Sequence, residues 1–386
     1  MNNSLAILII VKSLPWRFKG GIQTHAWDLA KALHAKGHPV TLLTGGAFLS
    51  KETHTEQDGI RIVEVPFFPG RYLPGVSYLA EELAFNLRVK GWVNRHHHAF
   101  DIIHAQGRSG YLLYQLPQIH RKLVQTIHGH TGVEAATETQ NLDARIHAFF
   151  AQRWEKNSLS TLRKTIAVSQ DLMQAVLKSR KISSQSIAVI PNGVACGEGG
   201  SHVVSSEQTV DRFVFVGRLH PVKGLIPLIQ QIAKAPKKVY LDIIGEGPQR
   251  RELEKVIADL DLTQQVRLLG AYDNSAVQLL LPHYLGLVLP SIYESQGIVL
   301  LEANLRSIPV IASDLPSIRE SITHGENGLL CRLSHPEEFT DAMIFLQENR
   351  SLAKQMGKAG EKRVKEQYSW SKIADQTIEL YHQLAS

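Results

Sequence analysis

Leu289-Pro290-Ser291-Ile292-Tyr293-Glu294-Ser295-Gln296-Gly297-Ile298-Val299-Leu300-Leu301-Glu302-Ala303 is the stretch on which the fold turns. The apolar run Leu285 to Leu289 leads into it and reads as a buried strand. A helical pattern from Gly297 to Arg306 follows, and Pro309-Val310-Ile311-Ala312-Ser313 reads as the next strand. Strand, loop, helix and strand in this order place Glu294 on a loop at the carboxyl end of a parallel strand. Open α/β sheets bind ligands at that edge. With Gly297 near the helix start, the neighbouring N–H groups are offered to an anion. Seven residues separate the two carboxylates. Glu302 then lies about one and a half turns into the helix, at roughly 3.6 residues per turn. Two acceptors on either side of an anion site suit a ligand with phosphate at its centre and hydroxyls at both ends, which is the shape of a nucleotide sugar. A lone pair of this kind reads equally as solvated carboxylates flanking a helix, so its company matters.

Strands and helices alternate on both sides of this stretch. In the first half, Leu5 to Leu14 is strand-like. Ile22 to Lys36 sets Ile22, Ala26, Leu29, Ala30 and Leu33 on one helical face, with Gly37 as its stop. Val40 to Leu43, Ile102-Ile103, Leu123 to Ile127, Ile166 to Val168 and Ile187 to Ile190 are further short apolar runs. The texture changes over Ala195 to Asp211, where Gly, Ser and Glu cluster as in a flexible linker. A second alternation then begins, with strands expected at Phe213 to Val216, Val239 to Ile244, Val266 to Leu269, Leu285 to Leu289 and Val310 to Ala312. The tail places Ala374, Ile378, Tyr381 and Leu384 on one face of an amphipathic helix. This pattern predicts an α/β chain with two Rossmann-like, doubly wound parallel-sheet domains. The expected boundaries are an N-terminal domain over 1–194, a linker over 195–211, a C-terminal domain over 212–367 and a terminal helix over 368–386.

Several motifs sit at strand ends. In Phe215-Val216-Gly217-Arg218-Leu219-His220-Pro221-Val222-Lys223-Gly224, a strand closes on Gly217, and Arg218 and Lys223 follow five residues apart. Arg218 brings a planar fork of donors and Lys223 a mobile point charge. Together they suit a diphosphate and the charge that grows as a nucleotide departs. Gly20-Gly21-Ile22-Gln23-Thr24-His25 follows the first strand, and glycine there permits φ > 0 and close approach of a ligand to the main chain. His128 ends the strand Leu123 to Ile127, with Gly129-His130 after it. Pro191-Asn192-Gly193-Val194 is a strong turn signal and is read as structure. Gly245-Glu246-Gly247-Pro248 lacks the third glycine of a dinucleotide fingerprint, since Arg250 stands there, and Pro248 is expected to start a helix. Asn327-Gly328-Leu329-Leu330 reads as another structural turn.

Taken in order along nearly the whole chain, these motifs resemble the retaining GT-B glycosyltransferases of family 4, also called glycosyl transferases group 1. The resemblance implies two Rossmann-like domains facing a cleft, with the terminal helix crossing back onto the first. It gives Glu302 the ribose hydroxyls of a donor nucleotide and turns Glu294 to the donor sugar. Arg218 and Lys223 bind the diphosphate, and His128 contacts the sugar. Gly20, Gly21, Gly217, Ser295, Gln296, Gly297, Ile298 and Val299 complete the donor site, while Gln23 and His25 are candidates for acceptor contact. An acid–base role does not follow for His128, because the leaving diphosphate can itself take a proton. Ala195 stands where the family commonly has Asp, and Ser307 where it usually has Gly shortly before Pro.

Composition narrows the alternatives. A chain of 386 residues suits two domains, and 44% hydrophobic with 20% charged residues is ordinary for a soluble globular protein. Leu5 to Val11 is too short for a membrane span, and no apolar run reaches about 18 residues. A cytoplasmic protein is expected, with peripheral contact at the inner face of a membrane compatible with the charge of +6. Cys196 and Cys331 cannot build a zinc cluster, and His96-His97-His98 is read as a solvated run. No metal and no cofactor are expected beyond the donor itself. Zinc-finger spacing, RNA-binding aromatic motifs and Lys/Arg blocks are missing, so nucleic acid is not an expected partner. The resemblance implies an enzyme moving a hexose from a nucleoside-diphosphate sugar, by default UDP-glucose with GDP-mannose next, to a glycan or lipid-linked acceptor in envelope or exopolysaccharide assembly. A non-catalytic sugar-nucleotide binder, and a phosphorylase or epimerase of the same fold, are the competing readings.

Overall fold

The computed structural model describes residues 4–18, 20–70, 73, 75–129, 142–180, 183–195 and 211–385. The chain divides into two compact units, Met1–Gly193 together with Trp370–Ser386, and Val194–Ser369. Apart from Ala195 and Asp211, the linker expected over 195–211 lies outside the described residues, as do Cys196 and His130.

The first unit holds eight strands, β1 (Ile7–Ile10), β2 (Val40–Gly46), β3 (Thr53–Gln57), β4 (Ile60–Pro66), β5 (Ile102–Gln106), β6 (Leu123–Ile127), β7 (Lys164–Ala167) and β8 (Ile187–Val189). They lie in the order β3-β4-β2-β1-β5-β6-β7-β8. Every residue of β1, β5 and β6 is buried. Covered on both faces, such strands become near-continuous apolar runs, which is why the sequence reveals them. The antiparallel β3–β4 pair is a departure from the expected parallel sheet. All five residues of β3 are exposed, so no apolar pattern marks it. The signal lies instead in the turn, where Asp58 and Gly59 both take positive φ, 52° and 73°, as a two-residue hairpin requires.

Helices α1 (Gly21–Ala35), α2 (Ser77–His96), α3 (Leu142–Thr161) and α4 (Gln170–Arg180) belong to this unit, as does the C-terminal helix Trp370–Ala385. One core cluster joins Ala26, Leu29, Ala30 and Leu33 of α1 to Trp370, Ala374, Tyr381 and Leu384 of the C-terminal helix. Burial of these two amphipathic faces against each other and against β1 holds the tail in place, and Lys36 adds an ion pair to Asp375 at 2.6 Å. The histidine run departs from its solvated reading at one position: His97 is buried, its carbonyl taking a hydrogen bond from Lys122 Nζ at 2.7 Å.

The second unit holds six strands, β9 (Phe213–Val216), β10 (Leu241–Ile244), β11 (Val266–Gly270), β12 (Gly286–Leu289), β13 (Val310–Ser313) and β14 (Gly328–Cys331). All pair in parallel, in the order β11-β10-β9-β12-β13-β14. Counted from its first strand, this is the doubly wound order whose direction reverses between the first and fourth strands. The reversal therefore falls between β9 and β12. Helices α5 (Leu225–Ile232), α6 (Arg250–Asp259), α7 (Asn274–Leu280), α8 (Ile298–Leu305), α9 (Pro316–Arg319), α10 (Glu337–Glu348) and α11 (Arg350–Gln367) complete the unit. Two expectations shift here. Pro248 lies in a turn and α6 begins at Arg250, with Gln249 N donating to Leu219 O at 3.1 Å. Asn327-Gly328-Leu329-Leu330 is the entry into β14, paired with β13, rather than a turn alone.

Helix α8 ends in a Schellman arrangement: Ile308 N reaches Ala303 O at 3.1 Å and Ser307 N reaches Asn304 O at 2.9 Å. That geometry needs a left-handed residue, and Ser307 supplies it at φ 58°. A side chain there costs about 1–2 kcal/mol. The Ser307 hydroxyl partly offsets this by donating to Glu361. Ser307→Ala keeps the strain and loses the bond, so it should cost about 1 kcal/mol. Ser307→Gly loses the bond but relieves the strain, and should melt close to wild type. Thermal denaturation of the pair checks this; an Ala variant as stable as the Gly variant would refute it.

Candidate functional site

Two loops leave the carboxyl ends of the adjacent strands β9 and β12, where the sheet order reverses. The first carries Gly217, Arg218 and a single 3-10 turn over Pro221–Lys223; the second carries Pro290 to Gly297. Their backbones lock together, with Ile292 N donating to Val222 O at 2.7 Å. Gly224 makes the junction possible. It is left-handed at φ +65°, and a Cβ there would lie 2.1 Å from Pro290 O, so any other residue would push the loops apart.

The side chains meet at this junction. Lys223 Nζ forms an ion pair with Glu294 Oε1, and both side chains are largely buried. Ser291 Oγ donates to the same carboxylate oxygen at 2.9 Å. Ser317 Oγ, from α9, donates to the Glu294 backbone carbonyl at 2.6 Å. Glu294 is thus fixed through both its main chain and its side chain. Gln296 is buried beside it, and Ser295 is half-buried. Gly297 takes φ +76° as the residue preceding α8, and Leu300 N makes the first bond back to Gly297 O at 2.9 Å. The N–H groups of Ile298 and Val299 precede that bond. Glu302 is half-buried on the second turn of this short helix. Arg218 stands exposed on the β9 loop. Lys223 and Glu294, expected on separate parts of a ligand, are therefore directly paired to each other. Ser291 and Ser317 escaped sequence reasoning. Ser291 sits three residues before Glu294 and was within the decisive stretch, whereas Ser317 arrives by tertiary contact and leaves no local signal.

The first unit gathers a second group of expected residues at the ends of β5 and β6. His128 directly follows β6 and is joined at Nε2 to Gln106 Oε1, 2.9 Å away. His25 of α1 meets His128 edge-on with ring centroids 4.6 Å apart, and Trp370 of the C-terminal helix lies 5.1 Å from His25. Only 5% of His25 is exposed, so it packs against His128 rather than opening to solvent. Burial pushes His128 down to about 4, with Asn192 opposing the shift. Burial also holds His25 well below the ordinary imidazole range, aided by His128 and His104. Asn192 therefore faces both rings and is more than the turn residue its motif suggested. Gln23 Nε2 donates to Ser13 Oγ at 3.3 Å. Gly20 departs from the positive φ expected of it: at −168° its backbone is extended, and Gly21 already belongs to α1. The loop needs no left-handed glycine there.

Two family models cover most of the chain, "Glycosyltransferase Family 4" over residues 19–198 and "Glycosyl transferases group 1" over residues 203–363. An uncharacterised glycosyltransferase of Methanocaldococcus jannaschii is 27% identical, aligned over 98% of each chain. A glycogen synthase of Mycobacterium tuberculosis is 23% identical over 98% of this chain and 94% of its own. Among solved structures, sucrose-phosphate synthase from Thermosynechococcus elongatus superposes with a TM-score of 0.81 at 22% identity, covering 98% of this chain and 99% of that one. Anabaena HepE in complex with UDP-glucose superposes at 0.74 and 21% identity, over 98% and 100% of the two chains. No helix among the described residues is long and apolar enough to cross a membrane. With both halves matched by these family models, the chain belongs to the family 4 glycosyltransferases and has the GT-B fold.

Proposed function

We propose that this glycosyltransferase moves a hexose from a nucleoside-diphosphate sugar, UDP-glucose by default, to a hydroxyl of a glycan or lipid-linked glycan in polysaccharide or envelope assembly. The configuration at the anomeric carbon is retained and no metal takes part. The observation that carries this reading is the Lys223–Glu294 pair, held by locked loops at the point where the sheet order reverses. The Lys223 ammonium and the Arg218 guanidinium together do the work a divalent cation does elsewhere, neutralising the diphosphate as its bond to the anomeric carbon breaks. The acceptor oxygen bonds to that carbon, and its proton goes to the departing diphosphate. Glu294 and the main chain of Ser295 to Ile298 orient the sugar, and Glu302 holds the ribose. From the first unit, the family resemblance gives His128 a contact with the donor sugar and places Gly20 and Gly21 near its phosphates. The nucleotides bound in similar proteins, UDP-glucose in HepE and ADP in a starch synthase from Arabidopsis thaliana, support a nucleotide-linked donor class.

A thermal-shift and donor-hydrolysis screen across nucleotide sugars tests this reading. A UDP-hexose should raise the melting temperature and be cleaved to UDP, with the rate surviving exhaustive chelation. Absence of any shift or cleavage would overturn the function, and loss of rate on chelation would overturn metal independence. Glu302→Ala removes a charged acceptor for two ribose hydroxyls, worth about 1.5–3 kcal/mol. Calorimetry should show nucleotide affinity falling roughly ten- to a hundredfold; wild-type affinity would remove Glu302 from the ribose.

A further inference from the structure

Strands β5 and β6 pair in parallel with Gln106 opposite Thr126. Side chains two apart share a face of a strand. His104 and Gln106 thus project together from β5, and Thr126 projects from β6 with His128 just beyond it. These groups form one connected chain. Tyr381 of the C-terminal helix meets His104 Nδ1 with its hydroxyl at 2.6 Å. His104 Nε2 meets Thr126 Oγ1 at 2.7 Å and Gln106 Nε2 at 3.3 Å. The opposite end of the Gln106 amide meets His128 Nε2. Tyr381, His104 and Gln106 are each at most 1% exposed, so each bond is made in a setting where a lost partner is expensive.

We propose that Gln106 is a positioning residue for sugar transfer: backed by His104 and Tyr381, it accepts from His128 Nε2 and holds the ring in one tautomer and one orientation at the end of β6. This deepens, and rests on, the reading of His128 as a sugar contact. A carboxamide is suited to the task. It hydrogen-bonds an imidazole and fixes its ring, yet carries no charge to draw a proton onto it. Among the described residues, the other groups facing His128 are His25 from α1, His104 and Asn192, none of which brings a negative charge. Burial works in the same direction on both rings, pushing His104 down to about 3 and His128 down to about 4. A neutral His128 presents a hydrogen-bonding atom to a sugar hydroxyl; an imidazolium beside the anomeric centre would repel the positive charge that develops there as the diphosphate leaves.

Nitrogen-15 NMR of histidine-labelled full-length protein tests the proposal, with the His128 signals identified by their loss in His128→Asn. In the wild type His128 should remain a single neutral tautomer between about pH 5 and 8. Gln106→Glu keeps the shape but sets a carboxylate against the ring. His128 should then titrate in that window, and donor hydrolysis should fall below the new value and return above it. A wild-type His128 that titrates or exchanges tautomers in the window would overturn the proposal. So would Gln106→Glu with an unmoved His128 and a flat pH profile. A merely structural glutamine would change the activity of Gln106→Glu by a factor independent of pH. The wild-type resonances are read without substrate, so the test stands if the variant fails to fold. A neutral, fixed His128 in a protein that cleaves no donor would overturn the functional reading, not the positioning one.

Discussion

Lys223→Ala should lower turnover by about 10²- to 10³-fold, the usual cost of deleting one preorganised charge stabiliser. Two separate losses combine in it. The ammonium that would meet the growing charge on the diphosphate disappears. Glu294, with Ser291 Oγ still donating to it but its counter-charge gone, then turns an uncompensated carboxylate toward an anionic ligand. The second loss can be measured apart from the first. Lys223→Ala combined with Glu294→Gln should bind nucleotide more tightly than Lys223→Ala alone, because the repulsive charge is gone, while turnover stays low. Lys223→Arg restores charge but replaces a compact ammonium with a planar fork, and should recover only part of the rate. Rates of donor cleavage, with melting curves to confirm folding, decide the matter. Wild-type kinetics in Lys223→Ala would take the residue out of the site and remove the main support for the proposed function.

What made this junction legible in the sequence is that each of its parts is local. Buried parallel strands write themselves as apolar runs, so β9 matches its expected span of Phe213 to Val216 and β12 comes within a residue of its own. Glycines forced by close approach or positive φ, Gly224 and Gly297, sit at the loop ends. What remained hidden is non-local or lacks an apolar pattern. Ser317 and Gln106 matter through partners that the chain brings back from 23 and 22 residues away. The edge strand β3, wholly exposed, has no hydrophobic period to read. Gly20 shows the opposite failure: a plausible reason, positive φ, was attached to a residue whose backbone is extended. Asn327-Gly328 shows a third, in which a strong turn signal hid the strand it introduces.

Asp242→Asn should be the most damaging single substitution for the stability of the second unit. Asp242 lies in β10, 1% exposed, at the centre of a closed ionic network. Arg267 donates to it from Nε at 2.8 Å and Nη2 at 2.6 Å, Arg212 from Nε at 2.7 Å, and Tyr284 from its hydroxyl at 3.0 Å. Burial alone would raise the Asp242 carboxyl, but the Arg267 and Arg212 bonds outweigh it and hold the group below its usual range. Tyr284 is pushed upward by burial and by the neighbouring carboxylate, so it remains a donor. An amide at this position leaves the buried Arg212 without its counter-charge, and turns an N–H group toward donors. Breaking a buried pair from one side costs about 3–5 kcal/mol. For a unit of this size that corresponds to a fall in melting temperature on the order of 10 °C. The pH dependence has a fixed sign. A depressed carboxyl stabilises the fold above its unfolded value of about 3.9, and that contribution fades as pH falls through the lower folded value. The wild type should therefore lose stability steeply in acid where Asp242→Asn, already lacking the contribution, loses less. Because β10 lies beside β9 and carries neither of the loops proposed to bind the donor, nucleotide affinity measured well below the melting point should stay near wild type. A variant that melts with the wild type, or whose acid unfolding keeps the wild-type slope, would show that the arginines, and not the carboxylate between them, hold this edge of the sheet.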